Sequence, residues 1–183
     1  MKKLLFLVSS FLLLTGCGTS KLLNTPTKKV EMFFGKYQSL DQDVIDQLND
    51  VSENEMIFND DQKEEYINLM KKHYKEIKYD VKDETIDGDT ATVTVEIEVH
   101  DYSKIMNDAD QYLKDHPEKF YKEGTTEYDE SLFTDYRLEK LKDATDKVKY
   151  TIELTLTKID DEWVIDDLDK DTEKKIQGIY NYR

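Results

Sequence analysis

Hydrophobic positions along this chain switch repeatedly between a helical period and strict alternation, and each switch marks a new element. Thr25-Pro26 opens a helix, since proline suits the first helical position. Val30, Phe33, Phe34 and Tyr37 follow at i, i+3, i+4 and i+7 as one apolar stripe. A second short helix is expected from Asp41 through Val44, Ile45 and Leu48. A third starts near Asp60 or Asp61 and puts Tyr66, Leu69, Met70, His73, Tyr74 and Ile77 on one face. Then the period drops to two. Tyr79, Val81 and Ile86 give an irregular first strand, and Asp87-Gly88 a two-residue hairpin turn. Ala91, Val93, Val95, Ile97 and Val99 alternate with Thr92, Thr94, Glu96 and Glu98, the pattern of a strand with one buried and one wet face. Residues 101–147 return to helical spacing, with Ile105, Met106, Ala109, Tyr112 and Leu113 on one stripe and Leu132, Phe133, Tyr136 and Leu141 on another, punctuated by Pro117 and Gly124. Val148, Tyr150, Ile152, Leu154 and Leu156 alternate again. A turn at Asp160-Asp161-Glu162 leads to a last strand through Trp163, Val164 and Ile165, and Ile176, Ile179 and Tyr180 mark a C-terminal helix. The order predicts an α+β fold: N-terminal helices packed on a curved antiparallel sheet of about four strands, with a helical insertion between the two hairpins.

The first sixteen residues do not fit that domain. Lys2 and Lys3 precede an apolar run, Leu4 to Leu14, too short to span a bilayer, which takes about 20 apolar residues. This is a signal peptide pattern. Its end, Leu14-Thr15-Gly16-Cys17, resembles the lipobox read by prolipoprotein diacylglyceryl transferase and signal peptidase II. Cys17 is the only cysteine, and exported proteins normally keep cysteines in pairs. Lipidation of Cys17 accounts for it, and two acyl chains hold a protein on a membrane where one would not. The expected organisation is a signal peptide over 1–16, a lipidated tether over 17–24 and one domain over 25–183, on the extracytoplasmic face of the cell membrane. Only Arg137 and Arg183 are arginine among 26 basic residues, a bias of low-GC Gram-positive proteomes.

Cleavage before Cys17 leaves 167 of 183 residues, and loss of two lysines with no acid takes the net charge from −15 to −17. A chain this acidic is repelled by nucleic acid and by anionic headgroups, so nucleic-acid binding is excluded and the lipid alone is expected to hold the membrane. Charged residues make up 37%, which could signal disorder, but 11% aromatics and clean periodicity oppose it.

The Pro-led helix with Phe33-Phe34, the Asp87-Gly88-Asp89-x-Ala91-x-Val93 hairpin and the final acidic turn into Trp163-Val164-Ile165-Asp166 resemble the nuclear-transport-factor-2-like, cone-shaped fold. More narrowly, they are similar to uncharacterised Gram-positive lipoproteins that carry it. The resemblance spans about residues 25–169. The insert 101–147 departs from it, because that family's connection between hairpins is short. The family hosts enzymes, binding modules and structural proteins alike, so the resemblance implies a fold and no activity.

No constellation for chemistry stands out. Asp83-x-Thr85-x-Asp87-Gly88 opens like a calcium loop, but Thr94 occupies the position that needs a bidentate glutamate. Asp167-x-Asp169-x-Asp171 lacks the glycine, and Asp171 is instead expected to be the N-cap of the last helix. His73, His100 and His116 have no metal-ligand spacing, so neither a metal nor another cofactor is expected. His73 sits on an apolar stripe and reads as a core histidine rather than a general base, whereas His100 closes a strand on its polar face and is expected to be exposed. Glu96, Glu98 and Glu153 read as solvated strand glutamates without catalytic advantage. Twelve tyrosines is a high count, and Tyr112, Tyr121, Tyr128 and Tyr136 all fall in the insert. Tyrosine at a helix boundary buries its ring and keeps its hydroxyl wet, so packing explains them; an aromatic surface for a peptide or glycan is the functional reading.

The expectation is therefore a non-catalytic, surface-anchored module for an envelope protein, peptide or glycan. The alternative is a small-molecule-binding or hydrolytic protein that uses the cone cavity. Tyr74, Tyr112, Tyr136, Trp163 and His73 are the candidate ligand-binding residues. The insert is expected to be surplus to the core and to fold back as a cap that brings its tyrosines beside Trp163.

Overall fold

The computed structural model describes residues 23–54 and 58–183; Cys17 and the segment before it lie outside them. Three helices come first: α1 Pro26–Ser39, α2 Gln42–Asn54 and α3 Asp60–Lys75. Thr25 caps α1 by accepting from the Lys28 N–H, and Leu40 ends it in the left-handed region at φ 53°. Asn59 and Gln62 form a reciprocal capping box at the start of α3, which satisfies donors the first turn would leave unpaired. The stripe expected on each helix faces inward: Val30, Phe33, Phe34 and Tyr37 of α1, and Tyr66, Leu69, Met70, His73 and Tyr74 of α3 are all buried.

The sheet is antiparallel, curved and unclosed, in the order β1-β2-β3-β4. Its strands are β1 Lys78–Asp87, β2 Thr90–His100, β3 Lys147–Ile159 and β4 Glu162–Ile165. Val93 pairs with Leu154 and Val95 with Ile152 on the buried face, while Glu96 faces Thr151 and Glu98 faces Lys149 on the wet face. The irregularity of β1 is a register shift between Val81 and Asp83; before it Tyr79 stacks on Phe34 at 4.8 Å, and after it Ile86 lies opposite Ala91 yet stays exposed near the strand end. Asp87 pairs with Thr90, so the first turn is centred on Gly88-Asp89, one residue later than expected. The second hairpin turns through Asp160 and Asp161, both left-handed (φ 50° and 64°), a conformation that aspartate tolerates better than most residues.

Between β2 and β3 lie α4 Tyr102–Asp115, a 3-10 turn Pro117–Phe120 and α5 Glu130–Lys142. This insert is not surplus to the core. Tyr102, Met106, Leu138, Leu141 and Ala144 belong to the same buried cluster as α1, α3 and the sheet. Buried Gln62 of α3 donates to Ser131 O at 3.1 Å and to Asp135 Oδ1 at 2.6 Å, which fastens α5 along α3. The outer ends of α4 and α5 build a smaller cluster from Ala109, Phe120 and Phe133, with Tyr112, Leu113 and Tyr136 half-buried around it.

The last helix, α6 Lys170–Ile176, is capped by Asp169, which accepts from the Thr172 N–H, rather than by Asp171, which lies in its first turn, and the helix ends sooner than expected. Gly178 at φ 71° closes it, with its N–H on Lys175 O at 3.1 Å and the Ile179 N–H on Lys174 O at 2.9 Å. This is a Schellman cap, which leaves Ile179 and Tyr180 beyond the helix. From there to Arg183 the chain runs as a strap across α4.

Candidate functional site

The candidate residues do not converge. His73 and Tyr74 are both buried side by side on α3, with Tyr74 edge-on to Tyr37 at 4.9 Å. Tyr112 and Tyr136 stack on each other at 5.0 Å, and Tyr112 also touches His116. Trp163 is buried on β4, and its backbone N–H donates to Asn24 Oδ1 at 3.0 Å. β4 packs against β3 and α1, whereas α4 and α5 pack on each other and α5 packs on α3. The insert tyrosines therefore do not cap the sheet beside Trp163. Cys17, the lipidation candidate, lies outside the described residues.

A polar seam forms instead where the end of α3, the end of β2 and the start of β3 meet. His100 is buried, not exposed as its strand position implied. Its Nε2 lies 2.8 Å from Glu76 Oε2 and 2.7 Å from Lys147 Nζ, and Lys147 also donates to Glu76 Oε2 at 2.8 Å. Tyr102 stacks on His100 with the rings 7° from parallel. Behind them His73 donates through Nε2 to Ile176 O at 2.8 Å, because a carbonyl can only accept; its proton therefore sits on Nε2.

The hydrogen bonds of this seam cannot all be met. If His100 carries its proton on Nε2, it donates to Glu76 but faces the Lys147 ammonium. If the proton is on Nδ1, Nε2 accepts from Lys147 but Nδ1–H has no partner. Nδ1 of His73 is also buried without a partner. Burial, more than any charge, holds His73 down to about 4. Burial also lowers His100, against the pull of Glu76. The Lys147 hydrogen bond holds Glu76 down to about 2, and burial raises Tyr74 and Tyr102.

Both imidazoles of this set are buried, while Glu76 and Lys147 at its edge reach solvent. Glu96 and Glu98 are held low by hydrogen bonds from Lys149 and Lys78 and lie on the wet sheet face. A shallow cleft of about 530 Å³ along α3 is lined by Asp61, Glu64, Glu65, Asn68, Leu69, Lys72 and Lys142. None of its polar side chains is buried. Among the described residues no group of three His, Cys, Asp or Glu could hold a metal ion. Among them, too, no helix is long and apolar enough to cross a membrane.

Sequence reasoning missed Glu76, Lys147 and Tyr102. One signal was available: His73-x-x-Glu76 sits at helical i, i+3 spacing. No family model, no curated protein and no solved structure matches the chain.

Proposed function

We propose that this protein is a lipid-anchored lipoprotein of the extracytoplasmic membrane face, and that its folded domain is a non-catalytic interaction module. The observation that carries the second part is the contrast between two groups of side chains. The imidazoles of His73 and His100 are buried, and Glu96 and Glu98 are ion-paired on the surface. The outer insert, by contrast, leaves Tyr128 and Leu132 exposed beside the half-buried Tyr112, Tyr121 and Tyr136. Aromatic side chains with one wet end suit protein, peptide or glycan contacts, because they bury much area for little lost rotamer freedom. A nuclear-transport-factor-2-like assignment of the domain, carried by the sequence resemblance alone, is part of the same reading.

Two experiments test it. Cys17→Ala should move the protein out of the membrane fraction and abolish fatty-acid labelling; a variant that stays membrane-bound at high salt and labelled refutes the anchor. A photocrosslinking amino acid at position 128 or 132 should give discrete adducts on intact cells, and one at Glu153 on the wet sheet face should not. Equal or absent crosslinking at all three positions refutes the insert as the contact surface.

A further inference from the structure

The C-terminal strap and the histidine pair beneath it form one device. His73 fastens the strap at Ile176 O. Next to it Gly178 lies so close to β2 that a Cβ there would stand 2.0 Å from His100 O and 3.4 Å from His73 Cε1. Beyond Gly178 the strap is held by separate polar contacts. Ser103 donates to Gly178 O from its N–H at 3.0 Å and from its hydroxyl at 3.2 Å. The Asn181 N–H donates to Ser103 Oγ at 3.0 Å, and the Tyr182 hydroxyl to Asp110 Oδ2 at 2.8 Å. Arg137, lying over the Phe133 ring, donates to that same hydroxyl at 2.8 Å, so the strap also braces the insert.

We propose that residues 176–183 are a proton-operated latch, closed over His73 and His100 at neutral pH and released locally, ahead of the rest of the fold, when the pair takes up protons. The charged groups around the pair favour that outcome. From α3 it faces Lys72 and Glu76, from β3 Lys147, and from α4 the Tyr102 ring. Glu76 is the carboxylate in reach, and Lys147 already holds it. The strap itself contains no Asp or Glu side chain, and the Gln177 Oε1 within it is buried without a partner. A protonated His73 thus gains like-charged neighbours in His100 and Lys147 and no carboxylate side chain from the strap. Detaching the strap hydrates it, at the cost of these hydrogen bonds and of the burial of Ile176 and Ile179 in the main cluster. His73, held at about 4 when covered, returns toward 6.5 once wet. Linkage then raises the opening constant about tenfold for each pH unit between those values.

Amide hydrogen exchange on the full chain in detergent micelles, corrected for the intrinsic pH dependence of exchange, tests this. The Ser103, Asn181 and Tyr182 amides should open at lower free energy than those of Phe33 and Phe34 in α1. Their opening constant should rise about a hundredfold from pH 7.5 to 4.5. His73→Gln, which can still donate to Ile176 O, should flatten that rise. Strap amides that follow α1 at both pH values, or that ignore pH, overturn the latch, as does an undiminished rise in His73→Gln. The comparison within the native protein decides alone if the variant does not fold.

Discussion

Replacing residues 103–145 with a short Gly-Ser linker should unfold the domain, against the expectation that the alternating strands and N-terminal helices could close a core by themselves. The linker removes Met106, Leu138 and Leu141, each at most 5% exposed within the main cluster. Truncating one such side chain to alanine costs about 2–5 kcal/mol, so losing all three costs roughly 6–15 kcal/mol. Whole domains are stable by about 5–15 kcal/mol, so the loss consumes most or all of that margin. It also strips α5 from α3, leaving Gln62 without its partners on Ser131 and Asp135. The shorter connection returns little, since halving a loop changes its closure entropy by only about 0.6 kcal/mol. Urea unfolding followed by far-UV circular dichroism and Trp163 fluorescence reads the result. Leu138→Ala should lower stability by about 2–5 kcal/mol. Leu132→Ala, at a side chain 41% exposed, should stay within about 0.5 kcal/mol of the parent. A linker variant with one cooperative transition near the parent's midpoint would refute the reasoning and restore the insert as an appendage.

Two further outcomes follow from single positions. Gly178→Ala should cost more than about 2 kcal/mol in urea unfolding, because it strains a left-handed residue and drives a methyl into His100 O. Gly35→Ala, inside α1 with nothing within 4 Å of the new methyl, should instead stabilise by about 0.5–1 kcal/mol; equal effects at the two glycines would contradict this. As for pH, His73 titrates near 6.5 unfolded and about 4 folded, so the unfolded chain binds the extra proton between those values. Its burial costs nothing above pH 6.5 and progressively more below, reaching about 3 kcal/mol near pH 4. Subtracting the His73→Gln stability profile from the parent's should expose that slope, and a flat difference between pH 6.5 and 4 would rule it out.

What the sequence determined by itself is whatever a single element expresses through its own period. α1 and α3 each lie against the core on one side, so their apolar stripes recur at helical spacing and name their buried residues in advance. β2 and β3 have one covered and one wet face, so their alternation sets both the strands and the side each residue faces. The α+β order follows from those patterns. Tertiary structure decided the rest, because it depends on which distant surfaces meet. His100 is buried although it ends a wet-faced strand, since the strap and the end of α3 close over it. Its neighbours Glu76 and Lys147 come from 24 and 47 residues away, a distance no local period encodes. The stripes of α4 and α5 announced that they must be buried somewhere. That Leu138 and Leu141 complete the main core while Tyr112 and Tyr136 stack outside it was fixed only when α5 docked along α3. Hydrophobic burial gives an element a face to hide but names no partner for it, and the partner is chosen by packing and by the few polar groups, such as Gln62 and His73, that must find their bonds across the interface.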